Sequence, residues 1–263
     1  YNPDGTLDTG FNGTGKKLID FFGCADQAGA VVIQPDHKII ISGFAPDNSN
    51  QNNSHFYTAF VRLNANGTVD TTFNGGDVNN VSGIVKYDQA VEHLGFVGDM
   101  LLIPSGPNVG KIITVGGSGD PTSKFQVARY NSDGSKDTSF GTQGKTNTGF
   151  TINNNPASAT PRSVALQADG KILAGGDAGS LFGLVRWNAD GTLDTTTFGG
   201  GTGVVTTDFT TNQGPNNNAG KSVQVLQNGH ILMIGNTNDQ GGRFSIAIAR
   251  YNPDGTLDTG FNT

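Results

Sequence analysis

One nine-residue pattern, R-x-N-x-[D/N]-G-x-x-D, recurs along the chain and carries most of the side chains able to do chemistry. It runs from Arg62 to Asp70, from Arg129 to Asp137, from Arg186 to Asp194 and from Arg250 to Asp258. Oxygen-bearing side chains at alternate positions around a glycine, closing on an acid, are the layout of a calcium loop. Asn64, Asn66 and Asp70 have that spacing, as do Asn131, Asp133 and Asp137, and Asn188, Asp190 and Asp194. The place of the first ligand, however, is held by Arg62, Arg129 and Arg186, and a guanidinium there puts a fixed cation where the metal would sit. The structural reading is therefore preferred, with calcium as the alternative. Asn or Asp caps a turn, Gly takes a positive φ, and the pairs Arg62–Asp70, Arg129–Asp137, Arg186–Asp194 and Arg250–Asp258 lock one strand to the next.

The other reactive residues form no constellation. His37 and His230 fall in corresponding hairpin turns, where an exposed polar residue is expected, and His55 and His93 have no ligand-spaced partner. No H-E-x-x-H, C-x-x-C or G-x-S-x-G occurs, and Cys24, the one cysteine, is expected to be a small buried residue. The glycine runs Gly116–Gly119 and Gly199–Gly203 open no amphipathic helix and read as turns and bulges after strands rather than phosphate cradles. Asp26, Asp99 and Asp177 lie near strand ends and are not copied in every repeat, so they are where glycosidase or lyase chemistry would be grafted. No cofactor is expected.

The elements that must position these residues follow from the repeat. The Asn anchors Asn2, Asn64, Asn131, Asn188 and Asn252 are spaced by 62, 67, 57 and 64 residues, and twelve identical residues, YNPDGTLDTGFN, stand at 1–12 and 251–262. Each period holds two aliphatic stretches around a polar turn, strands A and B, as in VALQADGKILAGG from Val164. Strand C precedes the Asn anchor, as in LFGLVRW, and strand D follows the Asp-Gly turn, as in Lys16–Phe22, Gly83–Asp88, Lys145–Phe150 and Gly203–Phe209. Four short antiparallel strands in roughly 60 residues make the blade of a β-propeller. Units this poor in apolar residues must borrow each other's faces for a core. The expected layout is a single array over 1–263: a turn and an orphan strand D in 1–24, then blades at 25–88, 89–150, 151–209 and 210–263, the last lacking its own strand D.

The motif RYNPDGTLDTGF, with a QPDGK-type hairpin half a period away, resembles the delta-60 repeat, a bacterial β-propeller repeat of unassigned function. The resemblance covers essentially the whole chain. It departs at Pro104–Gly110, which widens one hairpin, and at an extra Thr197 assigned to strand D of the third blade. It implies secreted or surface-exposed bacterial proteins, often large and multi-modular, with no assigned catalytic residues. The orphan strand D, Lys16–Phe22, and the fourth blade's missing one are complementary. They would close a four-bladed ring, belong to a larger propeller, or join subunits by strand donation into a filament.

Composition agrees with this class and excludes others. With 40 Gly, 34% hydrophobic and 14% charged residues in 263, the chain is too poor in helix formers for a bundle. A net charge of −6 and a pI near 5.0 oppose nucleic-acid binding, and no apolar run approaches a membrane span. The expectation is a non-enzymatic, extracellular or cell-surface propeller acting as an adhesion, scaffold or interaction module. A protein or glycan surface, further blades or another subunit would be its partner. A carbohydrate-binding or carbohydrate-cleaving propeller is the alternative. The segments that break the repeat, Ala45–His55, Gln89–Asp99, Thr151–Thr160 and Thr210–Gly220, are the places for a ligand.

Overall fold

The computed structural model describes residues 1–21, 23–47, 55–73, 75, 83–89, 94–209, 218–238 and 243–261. His93 and most of the segment from Thr210 lie outside them. The described chain is all β: four antiparallel sheets, each threaded in sequence order. The first holds β1 (Gln27–Ile33), β2 (Ile39–Asp47), β3 (His55–Leu63) and β4 (Ile84–Asp88). The second holds β5 (Leu94–Leu102), β6 (Ile112–Ser118), β7 (Phe125–Tyr130) and β8 (Lys145–Thr148). A small hairpin, β9 (Phe150–Ile152) with β10 (Asn155–Ala157), leads into the third: β11 (Ala159–Leu166), β12 (Ile172–Ala178), β13 (Leu181–Trp187) and β14 (Val204–Thr207). The fourth has three strands, β15 (Ala219–Val225), β16 (Ile231–Asn238) and β17 (Phe244–Tyr251).

The sheets meet along their first strands, β1 on β5, β5 on β11 and β11 on β15, and diverge outward, which is the geometry of propeller blades. All four first strands bulge at one register, between Ala28 and Ala30, Val97 and Asp99, Pro161 and Ser163, and Gly220 and Ser222. Glycine fills the first two bulges because the next blade's backbone comes too close for a side chain. A Cβ on Gly29 would lie 2.4 Å from the Val97 carbonyl oxygen, and one on Gly98 2.7 Å from that of Pro161. Gly116 and Gly117 lie inside β6 rather than in a turn after it. A Cβ on Gly116 would collide with the Phe96 carbonyl of the bulged β5.

No blade has a core of its own. The buried apolar side chains gather into three clusters, each shared by two sheets. Phe60 and Val85 meet Met100 and Ile112; Phe125 and Val127 meet Val164 and Trp187; Phe182 and Leu184 meet Val223 and Met233. The residue closing strand C reaches back across each seam. Trp187 Nε1 donates to Thr148 Oγ1 at 3.0 Å, and the Tyr251 hydroxyl lies 2.6 Å from Thr207 Oγ1. Burial pushes the Tyr251 phenol up to about 12, so it stays neutral in that bond.

Of the arrangements expected for the ends, the closed four-bladed ring is not formed. Lys16–Asp20 forms no strand and pairs with no residue of β17. It runs instead beside the first sheet, where Leu18, Ile19 and Phe21 face Ile41 and Val61 across a cleft.

His37 stands at φ +65° in the β1–β2 hairpin, where the matching positions are Gly170 at +83° and Gly229 at +83°. A side chain in the left-handed region costs roughly 1–2 kcal/mol, and His37 is exposed. The substitution His37→Gly is expected to stabilise the protein by about 1 kcal/mol, read as a higher urea midpoint at unchanged slope.

Candidate functional site

The recurrent turn folds the same way each time. In the copy after β7, Asn131 N donates to the Ser135 carbonyl and Asn131 Nδ2 to Ser135 Oγ, while Asp133 Oδ1 accepts from Ser135 N at 2.9 Å and Ser135 Oγ at 2.7 Å. Asn64 and Asn66 bind Thr68 in this way, and Asn188 and Asp190 bind Thr192. Short polar side chains thus satisfy the turn's own backbone, and the Oδ1 atoms of Asn66, Asp133 and Asp190 that the calcium alternative requires accept hydrogen bonds from hydroxyls and amides.

The closing aspartates hold cations already present in the chain. Arg62 Nε lies 2.7 Å from Asp70 Oδ2, Arg129 Nε 2.6 Å from Asp137 Oδ2, Arg186 Nε 2.9 Å from Asp194 Oδ2, and Arg250 Nε 2.6 Å from Asp258 Oδ2. A second cation comes from the A–B hairpin in three blades, Lys38 at 2.8 Å, Lys111 at 2.7 Å and Lys171 at 3.8 Å, and in the fourth the imidazole of His230 takes that place at 3.5 Å. A divalent ion at Asp70, Asp137 or Asp194 would meet two positive groups. Among the described residues, no three His, Cys, Asp or Glu side chains gather as a metal cage.

Each arginine makes further contacts, and those of Arg62, Arg129 and Arg186 extend to the next blade. Arg62 Nη1 donates to the Ser132 carbonyl, Arg129 Nη1 to that of Ala189, and Arg186 Nη1 to that of Pro253. Its guanidinium stacks over the phenylalanine that ends its own turn: Phe73, Phe140, Phe198 or Phe261, at 4.3–4.8 Å from the ring centroid. Phe73, Phe140 and Phe198 in turn lie against Gly134, Gly191 and Gly255 of the following turn, where positive φ and the ring both demand glycine. Beyond the ring, Gly75, Gly141 and Gly199 donate to the carbonyls of Asp133, Asp190 and Asp254. Three links therefore join each of these three turns to its successor. The Arg and Asp types were visible in the sequence as a pair within one turn. The reach of Arg Nη1, the stacked Phe and the hairpin lysine were missed, although the regular recurrence of Phe and Lys was the available signal.

Other expected residues fall differently. His230 is half-buried against Asp258, so it takes the lysine's position instead of standing exposed. His55 opens β3. Cys24 is half-buried rather than buried. Thr197 lies outside strand D, and its hydroxyl joins the ion pair, 2.9 Å from Arg186 Nη2 and 2.8 Å from Asp194 Oδ2. Asp99 is spent on structure, accepting from Met100 N and Val164 N. Asp26 accepts from Phe21 N, and Asp177 pairs with Arg162 at 3.0 Å. Each keeps its other oxygen buried, with no partner among the described residues.

An array of blades held by identical polar grips is a repeat β-propeller. The chain belongs to the DUF5122 β-propeller family, a domain of unknown function, whose model matches residues 34–73, 110–140, 167–196 and 226–261, just over half of its length. No sequence among the curated proteins matches it. Similar solved structures include a protein of unknown function from Dyadobacter fermentans DSM 18053 (12% identity, TM-score 0.48, 87% of this chain and 61% of that one). A xylan β-1,4-xylosidase from Bacillus halodurans C-125 (12%, 0.44, 91% and 45%) and a GH43 endo-arabinanase from Bacillus licheniformis (12%, 0.42, 87% and 72%) also resemble it. The chain spans less than two thirds of the first two. At TM-scores below 0.5 these likenesses carry no argument about what this chain does, but the last two structures are named as enzymes. The expectation that the chain is not an enzyme is withdrawn on that finding.

Burial pushes Asp70, Asp137 and Asp194 up, but hydrogen bonds outweigh it and hold all three well below the usual carboxylate range. The donors are Lys38 and Thr72 for Asp70, Lys111, Ser139 and Arg129 for Asp137, and Thr196 and Thr197 for Asp194. A carboxyl depressed on folding stabilises the fold above its unfolded pKa and ceases to do so as pH falls through the folded value. Unfolding midpoints in urea are expected to hold between about pH 5 and 7 and to drop below about pH 4. Replacing Asp137 by Asn leaves Arg129 and Lys111 facing a neutral amide, and should cost about 3–5 kcal/mol at pH 7 and flatten that acid decline. The more exposed Asp258→Asn should lose clearly less.

Proposed function

We propose that this propeller is an extracellular interaction module that binds a protein or glycan surface through one end of its blades and uses the other end to hold itself together. The observation that carries this reading is the division of labour between the ends. The antiparallel order puts the A–B hairpins and the Asp-Gly turns at one end, where their charges are consumed by the grips described above. The links from B to C and from D to A emerge at the opposite end. All four segments that break the repeat are such links. The one between β8 and β11 folds as the β9–β10 hairpin, turned by Asn153 and Asn154 at positive φ. The residues at that end are built for hydrogen bonding: Asp120 with Lys124 and Ser118, Arg162 with Asp177, and Asn218 with Asp208. The extracellular setting rests on the resemblance to the delta-60 repeat and on the acidic, weakly charged composition.

A second reading, carbohydrate cleavage, is favoured by the unpartnered buried oxygens of Asp26 and Asp177, both at the variable end. Screening against glycan and extracellular-protein arrays tests the first reading. Binding should fall about tenfold in Arg162→Ala and Lys124→Ala and be unchanged in Asp36→Asn at the opposite end. Binding lost only in the latter variant would refute it. Release of reducing sugar that disappears in Asp26→Asn or Asp177→Asn would favour the second.

A further inference from the structure

The A–B hairpins of three blades are tight. They close over 35–37, 168–170 and 227–229, through Gln34 N to the Lys38 carbonyl, Gln167 N to that of Lys171 and Leu226 N to that of His230. In the second blade the same bond, Ile103 N to the Lys111 carbonyl, closes over 104–110. This departure from the repeat lies at the end given over to the grips, yet it leaves the grip intact, since Lys111 still reaches Asp137 at 2.7 Å. The added residues hold a fixed course. Gly110 N donates to the Ile103 carbonyl, Val109 N to that of Gly106 and Lys111 N to that of Asn108, with Gly106 and Gly110 at positive φ.

Every residue from Pro104 to Asn108 lines a cleft of about 490 Å3, whose other wall is the tight hairpin of the third blade. That volume is of the size that small-molecule sites have. Buried Ile103 and Ile172, with half-buried Leu166, make its floor apolar. Around them stand neutral hydrogen-bonding groups. The side chains of Ser105 and Asn108 make no hydrogen bond among the described residues, and Gln167, whose Oε1 accepts from Arg186 Nη1 at 3.3 Å, keeps its Nε2 as a donor. Asp169 is the charged residue of the lining, and it is already paired with Lys171 at 3.1 Å.

We propose that this cleft is a second ligand site, separate from the variable end, and that it takes a short uncharged oligosaccharide. The lining selects that class. An apolar floor beneath neutral donors and acceptors suits the C–H face of a sugar ring and the hydroxyls around it. An acidic ligand would meet the Asp169 carboxylate with no unpaired cation in the lining to offset it, and a basic ligand would have to displace Lys171. An extended peptide needs a strand edge to pair with, but both walls are turns whose strand-end amides are spent, Ile103 N on Lys111 and Gln167 N on Lys171. This inference does not rest on the reading of the variable end.

Saturation-transfer NMR and calorimetry on the whole chain test it, with cellotriose, maltotriose and laminaritriose as probes and trigalacturonate and a proline-rich peptide beside them. The expected result is that a neutral trisaccharide binds and that the acidic and peptide probes bind at least about tenfold more weakly. Asn108→Ala should weaken that binding about tenfold. Ala168→Trp, which sets a large side chain at an exposed position of the lining, should abolish it. Exchange of residues 104–110 for the Ala-Asp-Gly turn of 168–170 should abolish it too, and unchanged thermal melting of the variants shows that the fold is kept. Absence of binding by all three neutral trisaccharides overturns the proposal. So does binding that survives both Ala168→Trp and the loop exchange, and so does a preference for the acidic or the peptide probe.

Discussion

The structure depends on a guanidinium taken out of water. Arg62, Arg129 and Arg186 are nearly inaccessible, and desolvating an ion of this size costs several kcal/mol unless each donor and the charge itself are met. Here the charge is met by an aspartate from the same turn, the face of the ion by a phenylalanine, and Nη1 by a carbonyl of the next blade. The first two partners are local and are present as soon as the turn forms. The third exists only when a neighbour is docked, so an unpaired donor is the cost of an undocked blade. The grip therefore converts a local turn into a demand for stacking.

Packing makes the same demand from the apolar side. Val127 and Trp187 are fully buried, yet they belong to one cluster drawn from two sheets. Removing a blade would expose half of each adjoining cluster at once, and so stability in such an array is a sum of seams rather than of blades. The glycines fix how close the seams lie. Where Phe73 packs on Gly134, any β-carbon would sit 2.6 Å from the ring, so the distance between successive turns is set by the absence of a side chain. The same spacing brings Gly75 N within 3.0 Å of the Asp133 carbonyl, and the polar and apolar links reinforce one register.

Much of this was legible in the sequence because it is local. The Asn-x-Asp-Gly turn, the alternation of strand C and the period near 60 residues are read from neighbours along the chain, and the Arg–Asp pair spans only eight residues. What stayed hidden lies between repeats or depends on a twist that sequence does not state. Lys111 is 26 residues from Asp137, and Arg129 is 60 from the Ala189 carbonyl; only the docked blades bring them together. His230 was misread as a surface residue because the hairpin, taken alone, points it outward, whereas the blade folds it onto Asp258. Lys16–Asp20 has the sequence of a strand, but a strand is defined by its partner, and here the segment joins no ladder.

The contrast between the two ends of the blades follows from the same physics. A turn whose every polar atom is committed to its neighbour tolerates little change, since altering Asp137 disturbs Lys111, Arg129 and, through Arg129, the next blade. The B–C and D–A links cross their seams with backbone bonds, such as Ala159 N to the Ser123 carbonyl and Asn218 N to that of Ser180, rather than with a buried arginine. The link between β12 and β13 closes in two residues, whereas that between β8 and β11 inserts a complete hairpin with the flanking sheets still packed. Length and composition can vary there at little cost to any seam, because loop closure grows only slowly with length. Rigidity at one end thus permits diversity at the other, and a surface that differs from blade to blade is carried on a frame that does not.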